Sequence, residues 1–309
     1  MEIRQALAAA CSDLGLDRLD AQLLLLHSLD RPQNDRAWLL AHDTEALDPA
    51  TEMRYIDLTR RRAAGTPLAY LTGMREFYGL PLQVDERVLD PRPDTETLVE
   101  WALACIKDTP KPRVIDLGTG SGAIALALKH QRPDAQVSAV DASADALAVA
   151  GANARRLGLA VTFSQGDWLK GIDARFDLIA SNPPYIAEGD PHLEQLGHEP
   201  RQALTSGPDG LDAIRTIVAE APHGCNLTAG CCWNTVGTRR QRCAICSCGP
   251  ASRELIPDET WRVWSAAAAG NWHPPDRVAR AGTQADRPDS SVNSFRQPAC
   301  PGPPSYQWQ

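Results

Sequence analysis

The chain has 309 residues, 43% of them apolar, and a net charge of −8, enough for one large domain and a small one. The first 222 residues hold −11 of that charge, and a nonspecific nucleic-acid binder would lean the other way. No apolar run approaches the ~18 to 20 residues of a membrane span. The start, MEIRQALAAACSDLG, lacks the basic and apolar stretches of a secretory leader, so a cytoplasmic protein without membrane contact is expected.

Residues 1–72 read as a small helical domain. DRLDAQLLLLHSLD and RAWLLAHD carry apolar residues at helical spacing, and PATEMRYIDLTRRRAAG ends on Gly65, a helix stop. PLAYLTGMREFYGLPLQVDERVL then alternates apolar and polar residues between glycine and proline breaks, which predicts a hairpin linker over 73–90. In DPRPDTETLVEWALACI, Pro93 sits beside a first helical turn, and Asp94 and Glu96 lie where the helix dipole favours carboxylates.

From residue 112 the pattern becomes strand, glycine turn, helix, strand. PRVIDLGTGSG leads into AIALALKH and AQVSAVDAS into ADALAVAGANARRLG, followed by VTFSQGDW and FDLIASNPPY. Four apolar strands separated by helical stretches predict an α/β fold with a parallel, doubly wound sheet over 91–222. LDAIRTIVAEA is the expected crossover to a fifth strand.

Two motifs carry chemistry. In VIDLGTGSG an apolar strand ends in a glycine turn at a helix start, where backbone approaches a ligand closely and free N–H groups are offered. Asp141, at the end of the next strand, stands where a carboxylate binds the two hydroxyls of a ribose; capping the next helix is its other reading, a role Ser143 supplies equally. GTGSG in place of GxGxxG, with Asp116 two residues before the first glycine, favours S-adenosylmethionine over a dinucleotide. The second motif, SNPPY at 181–185, ends the fourth strand. Pro183 and Pro184 donate no hydrogen bonds, so this rigid frame presents carbonyl acceptors. With the Asn182 side-chain oxygen it accepts both hydrogens of a planar NH2, and Tyr185 packs on the flat face of the substrate. Glutamine amide and adenine both present such a group.

GTPLAYLTGMREFYGLPLQVDERVLDPRPDTE, VIDLGTGSGAIALAL, VDAS, GDW, SNPPYI and HEPRQALTSGPDGLDAIR together resemble the release-factor glutamine methyltransferase family over residues 1 to about 222. The resemblance implies a class I S-adenosyl-L-methionine methyltransferase domain (Rossmann-like). It acts on the glutamine of the GGQ motif in class 1 peptide-chain release factors, and its helical N-terminal domain helps dock that partner. It also implies that Gly118, Thr119, Gly120, Ser121, Gly122, Asp141, Trp168 and Asn182 contact the methyl donor. Asn182, Pro183, Pro184 and Tyr185 hold the glutamine, with Asn182 and Pro183 at the reacting centre. A monomer without metal or DNA is expected. The charge of the first 222 residues and the N-terminal half of the pattern separate this reading from a DNA or RNA adenine-N6 methyltransferase. Asp90 stands where such sequences usually carry an apolar residue.

After Pro222 the pattern is lost. LTAGCCWNTVGTRRQRCAICSC packs five cysteines into 227–248, whereas the first 222 residues hold two. Cys243, Cys246 and Cys248 have ligand-like spacing, but no second paired set at structural-zinc spacing follows, and a disulfide framework conflicts with a cytosolic enzyme. Read one base over, Cys231-Cys232-Trp233-Asn234-Thr235 encodes Leu-Leu-Glu followed by His or Tyr. DETWRV likewise admits Arg-Asp-Leu-Ala-Gly. Both match segments of the same family at its spacing. The tail, 223–309, therefore reads as out of frame and is expected to be disordered. The last strands would then be missing and FDLIAS left as an open sheet edge, so that the chain is an inactive remnant.

Overall fold

The structure is a computed structural model that describes residues 1–235 and 242–247, with only backbone pairing given beyond residue 221. Helices α1 (Ile3–Leu14), α2 (Arg18–Ser28), α3 (Arg36–Ala41), α4 (Pro49–Ala63) and α5 (Leu68–Thr72) open the chain. They share an apolar core of their own, in which Leu24, Leu25 and Leu26 of α2 are fully buried with Tyr55 of α4 and Ile3 of α1. Asp48 caps α4 by accepting from the Ala50 and Thr51 N–H groups, Pro49 occupies the first turn, and Arg60 to Arg62 close the last one. Arg62 reaches back to Asp20 of α2 at 2.7 Å, which fixes the crossing of the two helices.

Strands β1 (Met74–Phe77) and β2 (Leu80–Gln83) pair antiparallel, with Phe77 opposite Leu80. The two turn residues, Tyr78 and Gly79, both have positive φ (50° and 77°), the two-residue turn whose twist matches that of the strands it joins. Helix α6 (Glu96–Cys105) follows, and Glu96 accepts the Tyr78 N–H at 3.0 Å, tying the hairpin to the next domain.

The central sheet contains β3 (Arg113–Leu117), β4 (Gln136–Asp141), β5 (Thr162–Gln165), β6 (Phe176–Ser181), β7 (Cys225–Thr235) and β8 (Arg242–Ser247) in the order β5-β4-β3-β6-β7-β8. All neighbours are parallel except β8 on β7. Helices α6, α7 (Ala123–Gln131) and α8 (Ala144–Leu157) contribute to the core on one face, and α9 (Asp212–Gly224) packs Ile217 and Ala221 into a second core with Ile115, Leu117, Phe176 and Ile179. Burial on both faces is why β3 and β6 read as continuous apolar runs.

The expected open edge at FDLIAS is not found. Strand β7 lies beside β6, with Ile179 opposite Cys231, Ala180 opposite Cys232 and Ser181 opposite Trp233. A ladder needs only N–H and C=O groups, and Cys225–Thr235 contains no proline to interrupt them. The DETWRV segment, Cys248 and the rest of the tail to residue 309 lie outside the described residues.

Candidate active site

Strand β3 lies between β4 and β6, and the connections leave it in opposite directions, so a crevice opens at the C-terminal ends of these strands. The glycine turn fills one side of it. Gly118, Gly120 and Gly122 have φ of 68°, 56° and 84°, values that residues with a side chain rarely adopt. The Gly118 and Thr119 N–H groups both donate to the Val140 carbonyl, locking the turn onto β4. At Gly118 a β-carbon would stand 3.3 Å from the Trp168 ring, so glycine here allows the indole to lie against the backbone.

Beneath the turn, Asp116 is fully buried. Its Oδ2 accepts from the Thr119 hydroxyl at 2.6 Å and the Ala125 N–H at 3.2 Å, while Oδ1 has no partner. Burial, only partly offset by these donors, pushes its carboxyl up to about 7. Asp141 accepts the Gly120 N–H at 2.8 Å and the Ser143 N–H at 2.9 Å, and Ser143 itself caps α8 through the Ala146 N–H.

Ser181 at the end of β6 sits opposite Leu117 at the end of β3 and donates its hydroxyl to the Leu117 carbonyl at 2.8 Å. The two chemical motifs, starting at Gly118 and Asn182, therefore leave the sheet side by side. Two cavities open there, of about 180 and 210 Å³. The first is lined by Gly118 to Ser121, Asp141, Trp168 and Pro184, the second by Pro183, Tyr185, Arg92 and Asp94. Leu89, Thr95, Asn182 and Ala203 belong to both. The Asn182 Oδ1 is buried and makes no hydrogen bond. Burial also raises the Tyr185 hydroxyl above the ordinary tyrosine range.

Two family models match parts of the chain that include this arrangement. Residues 2–73 fit the family model described as the PrmC N-terminal domain, and residues 95–208 that of the methyltransferase small domain. The release factor glutamine methyltransferase of Bordetella pertussis is 52% identical over 226 residues, covering 72% of this chain and 82% of that one. Those of Burkholderia pseudomallei (49%, covering 71% and 79%) and Xylella fastidiosa strain 9a5c (52%, covering 67% and 76%) are similar in the same way. The chain belongs to the release factor glutamine methyltransferase family.

In this family member, Gly118, Thr119, Gly120, Ser121, Asp141, Trp168 and Asn182 line one cavity. Gly122 does not line it. The space beside its Cα is taken by Leu126 and Ala150, at 3.0 and 3.2 Å from where a β-carbon would stand, so this glycine serves the packing of α7 against α8. The side chains of Thr119 and Ser121 are buried. Of the NPPY residues, Pro184 faces the first cavity, Pro183 and Tyr185 the second, and Asn182 both.

Sequence reading missed Asn153. Its amide bonds the Gln83 N–H (2.7 Å) and carbonyl (2.9 Å) and the Ser121 carbonyl (3.0 Å), stapling the hairpin to the glycine turn from 70 residues away. It also missed Glu199, buried against Arg92. No helix among the described residues is long and apolar enough to cross a membrane, and no group of three or more metal-ligating side chains occurs among them.

Proposed function

We propose that this chain transfers the methyl group of S-adenosyl-L-methionine to the side-chain amide nitrogen of the glutamine in the GGQ motif of class 1 peptide-chain release factors. The observation that carries the reading is the Asn182 Oδ1, a buried acceptor without a partner at the residue common to both cavities. Leaving such a group unpaired costs about 1 to 3 kcal/mol, a cost that a substrate N–H at this point removes.

An amide nitrogen has its lone pair delocalised into the carbonyl, so it must be oriented before it reacts. Asn182 accepts one of its hydrogens and a carbonyl of the proline run accepts the other, while Tyr185 walls the second cavity. Catalysis by this chain is then positioning: the nitrogen sheds one of its two hydrogens as its bond to the methyl forms, and the acceptor holding that N–H passes the proton to solvent, so no dedicated base is required. When bound, the methyl donor supplies an electrophilic methyl on a sulfonium. The residues around the first cavity fit such a group: the turn backbone and the Trp168 ring form its walls, and each Asp141 oxygen, although holding one N–H, keeps a second lone pair for a ribose hydroxyl.

The helical domain, 1–72, is read as a docking surface for the release factor, and the protein as a cytoplasmic monomer that uses neither DNA nor metal. The tail from 223 is read as out of frame. The test incubates the 309-residue chain and a chain restored to the other frame with methyl donor, a release factor and duplex DNA, and locates the methyl group by mass spectrometry. Methyl on the glutamine amide is expected in the restored chain. Methyl on adenine with release factor untouched overturns the assignment.

A further inference from the structure

Two short segments far apart in sequence meet over the junction of the cavities. Residues 89–95 contribute Leu89 and Thr95 to both cavities, and residues 199–204 contribute Ala203 to both. They are joined by Arg92, whose Nη2 lies 2.6 Å from the Glu199 Oε2, a pair separated by 107 positions. The Glu199 side chain is almost wholly buried, and its Oε1 has no hydrogen-bond partner. Asp90, the residue that departs from the family pattern, is buried as well, with Arg92 Nη1 at 3.6 Å and Arg75 Nε at 3.4 Å. Two acids and two guanidiniums thus balance, the acids buried and the guanidiniums about a third exposed. One residue before Glu199, His198 lies 3.2 Å from the Ala64 carbonyl at the end of α4, so the same corner is fastened to the helical domain.

We propose that Arg92 and Glu199 are positioning residues, a latch that holds the two segments together and so fixes the junction through which methyl donor and amide meet, with Asp90 and Arg75 as its charge-balancing anchor. This rests on the functional reading above. The guanidinium suits the task because its planar fork serves two carboxylates at once, which a lysine ammonium cannot do with the same geometry. Burial raises both carboxyls above their ordinary range.

The experiment places Glu199→Gln, Arg92→Met and the double variant in the 309-residue chain, for exchange and thermal midpoint, and in the frame-restored chain, for turnover. It reads amide hydrogen exchange by mass spectrometry, thermal midpoint, and turnover on a Gly-Gly-Gln peptide with S-adenosylmethionine. Glu199→Gln is expected to speed exchange in 89–92 and 199–204 at least fivefold, leave exchange in β3 and β4 unchanged, and lower kcat at least tenfold while KM for the donor moves less than threefold. The double variant should be no worse than Arg92→Met alone, because one latch cannot be opened twice. Unchanged exchange in the two segments, exchange rising equally throughout the sheet, or additive losses in the double variant overturn the proposal. A frame-restored chain that transfers no methyl group at all counts against the functional reading, and the exchange pattern and its additivity still decide the latch.

Discussion

The Ser181 hydroxyl donates to the Leu117 carbonyl at 2.8 Å, so the ends of β6 and β3 are fastened one residue before each releases its chemical motif. Gly118 and Asn182 consequently start from fixed points. A positioning mechanism needs such rigidity, since a displacement of about 1 Å costs on the order of 100-fold in rate.

Replacing Asn182 by alanine should therefore cost about 100-fold or more in turnover if orientation dominates, while S-adenosylmethionine affinity changes little. The measurement is paired single-turnover kinetics and calorimetry on the frame-restored chain. Near-normal methylation of a release factor by Asn182→Ala would remove this residue from the role of orienting acceptor.

Asp141→Ala should weaken donor binding by about 1 to 3 kcal/mol, the range for a buried polar partner left unmatched. The same carboxylate holds the Gly120 and Ser143 N–H groups, so loop order is read separately, by exchange at Gly120. Unchanged affinity in calorimetry excludes the ribose role.

The buried Asp116 gives a pH signature. Its carboxyl is pushed from an ordinary 3.8 up to about 7, so the folded chain keeps a proton that the unfolded chain has already lost. Stability from this group is fully present below about 4, falls as pH rises through the window between the two values, and is flat above 7. His27, lowered by burial, acts oppositely in the upper part of that window, so the comparison must be made against Asp116→Asn. Asp90 and Glu199, also raised by burial, slope the same way, so that variant should make the downward slope between pH 4 and 7 in urea denaturation shallower without removing it; an identical slope in both proteins would mean that Asp116 is ionised throughout.

Restoring the frame near codon 222 should yield Leu-Leu-Glu-His or Leu-Leu-Glu-Tyr in place of Cys231 to Thr235, a higher thermal midpoint, and methyl transfer that the 309-residue chain lacks. Sequencing the DNA across codons 218 to 235 checks the first, and parallel expression of both chains the rest. A 309-residue chain that unfolds cooperatively at the same temperature and methylates at the same rate would refute the consequence drawn from the frame. Stoichiometric zinc in it would restore the cysteines as a selected site.

What sequence conveyed was local. VIDLGTGSG and SNPPY each carry their own strand, turn and chemistry within a few residues, and α2 and α4 declare themselves by period and caps. What it did not convey was built across distance. Asn153 sits within a helical pattern and shows nothing of its bonds to Gln83 and Ser121, and Glu199 gives no hint of Arg92. Gly122 looked like its neighbours because a glycine needed for packing and one needed beside a ligand are the same letter. The open edge at FDLIAS was expected from the side chains of the tail, whereas strand pairing there uses the backbone.

That last point reaches beyond this chain. Strand β7 takes its place opposite β6 with cysteines and a tryptophan at positions where another reading frame would write leucines and a glutamate. Hydrogen bonding along a sheet is nearly blind to the alphabet, with proline as its main forbidden letter. The information that selection stores in such a strand therefore resides in its side chains, and a gene can lose that message while the backbone still finds its seat.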